Sequence, residues 1–221
     1  MYTLKRSRRR LRTTALSISP SGQVIVTAPI WVPKKNIDEF VASKSDWISK
    51  QLSNIKPKRS LKYAHGEMHL YFGEKYPLNF IYTDTNKITV KFLFNKINIY
   101  LKDGNQDVQK ALLAWYLDNG KRIITTKVNY FCNQVKAEYN RITLKKVSSI
   151  WGSCSHKNNL NFNRKLIMAP HEIVDYVIIH EVCHLIYHNH GQNFWKLVAS
   201  LDPKFKTHRL WLKQNSHLLS L

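Results

Sequence analysis

Five of the chain's ten histidines fall between positions 171 and 190. Two of them bracket the pentad His180-Glu181-Val182-Cys183-His184, an HExxH pattern. On a helix, residues four apart share a face and lie about 6 Å apart along the axis. Two imidazoles at that spacing can converge on one Zn²⁺ at ~2.0–2.1 Å. Glu181 follows the first histidine and can act as general base toward an activated water. The flanking Ile178, Ile179, Val182, Leu185 and Ile186 are apolar, so the helix is expected to be buried with its histidines facing a cleft. A buried His, Glu and His without a metal would strand three polar groups. The expectation is one catalytic Zn²⁺ per chain.

A catalytic zinc needs a third protein ligand. His188 lies eight residues beyond His180, a rise of ~12 Å on a continuous helix and too far to share one ion. The helix must therefore end or bend first. Asn189 and Gly191 tolerate left-handed conformations, which suits a terminus there. His190 at that bend is the favoured third ligand, completing the set His180, His184 and His190. Asp202, the one acid after Glu181, is the alternative. The HExxHx5H spacing also occurs in metzincins, but Tyr187 stands where they place glycine. No methionine follows the motif, since Met1, Met68 and Met168 all precede it.

Upstream lie Trp151-Gly152-Ser153-Cys154-Ser155, the run Asn161-Phe162-Asn163 and Ala169-Pro170; downstream lie Asn189-His190 and Phe194-Trp195. Together with HEVCH these closely resemble the YgjP-like metallopeptidase domain family of zinc-dependent hydrolases. The similarity extends to the arginine-rich N-terminal hairpin, Asp46 to Leu52 and Gly66 to Leu78. Two departures are Ile150, where the family usually has arginine, and Arg164-Lys165, where Trp-Arg is common. The resemblance implies a zincin-like catalytic domain with His180, His184 and His190 as ligands. Peptide-bond hydrolysis is the leading expectation, with a peptide or protein substrate. A zinc-dependent nucleotide or phosphoanhydride hydrolase is the alternative, as is a protease recruited to nucleic acid by its basic N-terminal half.

In zincins an edge strand ahead of the active helix can hold an extended peptide by backbone pairing. Residues 159–167 are the expected edge. Asn161 and Asn163 would share one face of it, as substrate-binding or as turn-forming residues. Tyr187, His188 and His208 are candidates for stabilising the oxyanion, and Tyr187 and His188 are taken as substrate-binding candidates. Cys154 and Cys183 read as packed thiols, and His171 as a neutral ring at a helix start.

Several elements must position these groups. Residues around Pro20-Ser21-Gly22 read as a β-hairpin, 34–53 as one helix, and 56–63 as a connector. Four strands follow between positions 67 and 101. Residues 106–138 read as a helix with a possible break at Gly120. Strands around 141–147 and 159–167 lead to Pro170, which suits the first turn of the HExxH helix. Two short helices follow. The fold class expected is α+β: a basic β-rich N-terminal region, 1–105, and a zincin-like α-rich domain, 106–221, carrying the HExxH helix.

Composition sets the outer limits. In 221 residues, 43% are hydrophobic and only seven each are Gly and Pro, which excludes a disordered or collagen-like chain. Cys132, Cys154 and Cys183 form no CxxC pair and are odd in number, so a reducing interior is expected rather than a disulfide framework. There is neither an 18-residue apolar run nor, in MYTLKRSRRRLRTT, a secretory h-region. No membrane association and a cytoplasmic setting are expected. The formal net charge is 35 − 14 = +21. Such a surface attracts polyanions, so nucleic acid or nucleotide is a possible partner.

Overall fold

A computed structural model describes residues 2–19, 21–53, 61–104, 107–147 and 150–219. The chain divides into two compact units, Met1–Leu61 and Lys62–Leu221. The architecture is mixed α+β.

The first unit holds β1 (Thr3–Ser7), β2 (Ala15–Ile18) and β3 (Val24–Pro29), in the order β1-β3-β2. β2 and β3 form the expected antiparallel hairpin, while Pro20 lies outside the described residues. The start of the arginine run is itself a strand, since β1 pairs parallel to β3. Val24, Val26 and Ala28 alternate inward along β3, the period of a half-buried strand. Ile37 of α1 (Lys34–Ala42) packs on Val26 and Ala28. The single helix expected over 34–53 is two, because α2 (Ser45–Ser53) starts afresh. Ser43 caps the first helix at the break. Its hydroxyl donates to Phe40 O (2.8 Å), satisfying a carbonyl that the helix end leaves open. Residues 56–60 of the expected connector lie outside the described residues.

In the second unit, β4 (Met68–Tyr71), β5 (Glu74–Tyr82), β6 (Thr89–Leu93) and β7 (Lys96–Leu101) form a sheet ordered β4-β5-β7-β6. Two-residue turns, Phe72-Gly73 and Phe94-Asn95, close its hairpins with φ positive at every turn residue. Such turns match the right-handed strand twist. The boundary expected at 105/106 falls inside this unit, between β7 and α3 (Val108–Val135). Helix α3 runs 28 residues without a break at Gly120. The glycine instead lets a neighbour approach: a Cβ there would sit 3.0 Å from Leu144 Cδ2.

Leu144 belongs to β8 (Arg141–Lys145), which joins β9 (Gly152–Cys154) and β10 (Asn159–Asn163) in a second sheet, ordered β8-β10-β9. This corrects the expected edge. β10 is the middle strand, paired parallel to β8 and antiparallel to β9, and 164–168 is a 3₁₀ helix. The edge strand is instead β9, only three residues long. Three helices complete the unit: α4 (His171–Cys183), α5 (Gln192–Leu201) and α6 (Phe205–Asn215). No helix among the described residues is long and apolar enough to cross a membrane.

Candidate metal centre

Helix α4 is apolar on every side, with Ile173, Val174, Val177, Ile178, Ile179 and Val182 all buried, as suits a helix wrapped by the fold. Its start is clamped by the β4–β5 turn. The Phe72 and Gly73 amides donate to Ile167 O and Met168 O, both at 2.9 Å. The Phe72 ring stacks on His171, centroids 3.8 Å apart. Burial and the nearby Lys127 charge hold His171 below the ordinary imidazole range, consistent with a neutral ring. Gly73, at φ +85°, allows the closest approach: a Cβ there would lie 2.8 Å from Pro170 Cγ and 3.0 Å from Pro170 Cα. Lys127 of α3 bonds Asp175 of α4 at 2.6 Å.

The helix ends earlier than expected. Cys183 is its last residue, and the Leu185, Ile186 and Tyr187 amides close a tight turn on Val182 O and Cys183 O. Neither Asn189 nor Gly191 is left-handed. Gly191 is extended (φ −71°, ψ −178°) and leads into α5. The turn brings His190 back over the helix. Its Nε2 lies 3.1 Å from His180 Nε2 and 3.2 Å from His184 Nε2. The donor nitrogens of all three histidines lie within 4.8 Å of one another and could hold a metal ion.

The donor set fits a zinc-like ion. Tetrahedral ligation at ~2.0–2.1 Å would set nitrogens about 3.3 Å apart, close to the separations observed. Aromatic rings fix the imidazoles. Phe194 stacks on His184 (4.5 Å) and Trp195 on His190 (5.6 Å), and both reach His180. Phe194 and Trp195 thus border the centre. His184 Nδ1 lies 3.0 Å from Tyr187 O. With Nε2 turned to the cluster, Nδ1 carries the proton and donates it to that carbonyl, which sets the ring's direction. Burial, then the charges of His184, His190 and Arg209, push His180 down to about 3 and keep it neutral. Burial likewise lowers His184.

Glu181 is 5% exposed, and burial pushes its carboxyl up to about 8. Its neighbour is Gly152, which sequence reading passed over. A Cβ on Gly152 would lie 2.5 Å from Glu181 Oε1 and 2.6 Å from its Cγ. The signal was a glycine in a short motif otherwise made of side chains. Cys154, two residues on, is pushed up to about 11 by burial and the Glu181 charge, so it is a thiol and not a thiolate. Cys183 is pushed up to about 12 by burial.

Of the other candidate residues, Asn163 is buried; its amide donates to Val147 O and Ile150 O, and its oxygen accepts from the Lys165 amide. Asn161 donates to Ser153 Oγ at 3.2 Å. Tyr187 and His188 are exposed just past the helix end, with the His188 ring 5.5 Å from that of His156. Asp202 stands outside the histidine cluster: it accepts from His208 Nδ1 (2.8 Å) and the Lys204 amide (3.0 Å). His208 is occupied by the same pair.

None of the curated proteins matches the chain in sequence. Two solved metallopeptidase zymogens are similar to part of it. Abylysin of Pyrococcus abyssi is 17% identical over 41% of this chain and 93% of its own, with a TM-score of 0.38. Jannalysin of Methanocaldococcus jannaschii is 22% identical over 42% of this chain and 96% of its own, with a TM-score of 0.37. The family model of the YgjP-like metallopeptidase domain matches residues 12–215. With that match spanning nearly the whole sequence, the chain belongs to the YgjP-like metallopeptidase domain family.

Proposed function

We propose that this metallopeptidase hydrolyses peptide bonds using one Zn²⁺ held by His180, His184 and His190, with Glu181 as general base. The observation that carries the reading is the convergence of three imidazole Nε2 atoms, two of the separations being 3.1 and 3.2 Å, at the end of a helix that also buries the Glu181 carboxyl. Three imidazoles leave a fourth position open, the pattern of catalytic and not structural zinc. Zinc held there supplies a Lewis acid for the scissile carbonyl and for water. The Glu181 carboxylate takes the proton of the attacking water and hands it to the leaving amine nitrogen. Gly152, having no side chain, leaves room for that carboxylate beside β9.

The edge of β9 that no described strand pairs supports a peptide substrate. Asn163 N–H bonds Trp151 O (2.9 Å) and Ser155 N–H bonds Asn159 O (3.0 Å). Antiparallel ladders alternate, so Gly152 and Cys154 turn their N–H and C=O groups away from β10. Those groups can pair with an extended chain. In this reading Asn161 and Asn163 hold the strand and its loop, while Tyr187 and His188 border the substrate's approach. Residues 106–221 then carry a zincin-like site.

The test is elemental analysis beside activity. Wild type should hold about one zinc per chain, and His190→Ala should lose it or bind it much more weakly. Zinc-loaded wild type should cleave casein or quenched peptides, and Glu181→Gln should keep zinc yet lose cleavage. Zinc retained unchanged in His190→Ala would overturn the ligand set. Turnover of nucleoside triphosphates without peptide cleavage would overturn the substrate class.

A further inference from the structure

Residues 1–37 contain eight Lys or Arg and no acid; the first carboxylate is Asp38. The kind of base is unusual too. The chain has 25 Lys and 10 Arg, yet five of those arginines lie between positions 6 and 12. Outside residues 5–12, lysine outnumbers arginine 24 to 5. General lysine enrichment does not account for such a cluster.

The fold of the first unit gathers it. β1 and β3 are parallel with Ser7 paired to Pro29, so the segments leaving them, residues 8–12 and 30–32, emerge at the same end of the sheet. Arg6 fastens the second segment, donating through Nη1 to Pro29 O (2.9 Å) and Val32 O (2.6 Å). Between those anchors Ile30 and Trp31 stand out, 57% and 64% exposed. Leu11, between the arginines, is 74% exposed. Arg8, Arg9 and Arg12 are exposed and make no hydrogen bond or ion pair with any described residue. Asp38 accepts from the Tyr2 hydroxyl at 2.6 Å.

We propose that this end of the first unit binds single-stranded nucleic acid, with Arg8, Arg9 and Arg12 on the phosphates and Trp31 stacked on a base. Guanidinium groups pair with phosphate oxygens in two-pronged fashion and stack on flat rings. Exposed aromatic rings beside a cationic track are what sequence-tolerant single-strand binders use. An anionic lipid surface attracts lysine and arginine about equally, so it gives no reason for the arginine bias. Nothing in the proposal depends on the metal centre.

The test is anisotropy of a labelled 20-nucleotide oligo-dT with the full chain, from 50 to 300 mM NaCl. Wild type should bind with a salt slope that the triple variant Arg8→Gln/Arg9→Gln/Arg12→Gln lowers by about 2, at ~0.7 for each phosphate no longer neutralised. Trp31→Ala should weaken binding about five-fold or more at fixed salt, the low end of base stacking, and leave the slope unchanged. Melting temperature and zinc content of each variant should match wild type. If the triple variant melts early, Arg9→Gln alone should lower the slope by about 0.7. An unchanged slope overturns the proposal. So does a duplex bound as tightly as the single strand with Trp31→Ala neutral. Binding to phosphatidylserine vesicles that oligo-dT fails to compete away would replace it with a membrane surface.

Discussion

Gly152→Ala is the sharpest probe of the centre. The added methyl would sit 2.6 Å from Glu181 Cγ and 2.8 Å from its Cδ. Carbon atoms rest at ~3.5–4.0 Å, so the side chain must retreat by about 0.9 Å or more. Retreat is hard: Glu181 is 5% exposed, and the neighbouring Val182 and Cys183 are fully buried. Overpacking of this kind costs ~1–3 kcal/mol, about 2–12 °C of melting temperature for a unit of this size. The larger effect should be on turnover. A reacting group displaced by ~1 Å loses on the order of 100-fold in rate. The three atoms nearest Gly152's vacant side all belong to Glu181 and none to a histidine, so zinc content should stay near one per chain. The assay is kcat/KM on a quenched peptide with zinc-loaded protein, beside Ser153→Ala as a neighbour that leaves Glu181 alone. Gly152→Ala within three-fold of wild type, with zinc bound, would refute the claim that the missing side chain makes room for the base.

Other outcomes follow from the same geometry. Gly73→Ala combines φ +85° with a 2.8 Å approach to Pro170, so chemical denaturation should show a loss of at least ~1–3 kcal/mol. Asn163→Ala leaves two carbonyls and one amide without their part-buried partner and should cost ~2–4 kcal/mol in the same measurement. Asn161→Ala, which removes a half-buried bond to Ser153, should cost about 1 kcal/mol or less. At Glu67, burial pushes the carboxyl up. The amides of Lys62 and Tyr63, with His69, outweigh that and hold it below its ordinary value. Its stabilising contribution is therefore present above the ordinary carboxylate range and lost as pH falls through the lowered value. Glu67→Gln should flatten the acid side of the stability profile below about pH 5, and an unchanged acid slope would count against this account.

What was legible in the sequence was local. HExxH declares itself because four-residue spacing and apolar flanks are properties of one helix. His190 followed from chain reach, since a straight helix carries His188 away from His180. The helix end was misplaced because no Gly or Pro marks it: the turn from His184 to Tyr187 is closed by backbone bonds any sequence can make. Strand order was not legible, because whether β10 is an edge depends on β9, three residues with no period to detect. Gly120 and Gly152 were opaque for a related reason. Each serves what approaches it, Leu144 and Glu181, and neither neighbour is near in sequence. Ser43 shows the limit of periodicity, since the apolar spacing continues straight through the break at which it stands.

The ending of α4 at Cys183 has a consequence for how an ion enters and leaves. Two of the three imidazoles stand at the end of a buried helix, while the third follows an exposed turn. For an ion held by all three, local opening of residues 185–191 would release one arm and leave the other two in place. Metal exchange would then keep the tempo of a seven-residue segment and not that of global unfolding. The Trp195 ring stacked on His190 would act as its latch.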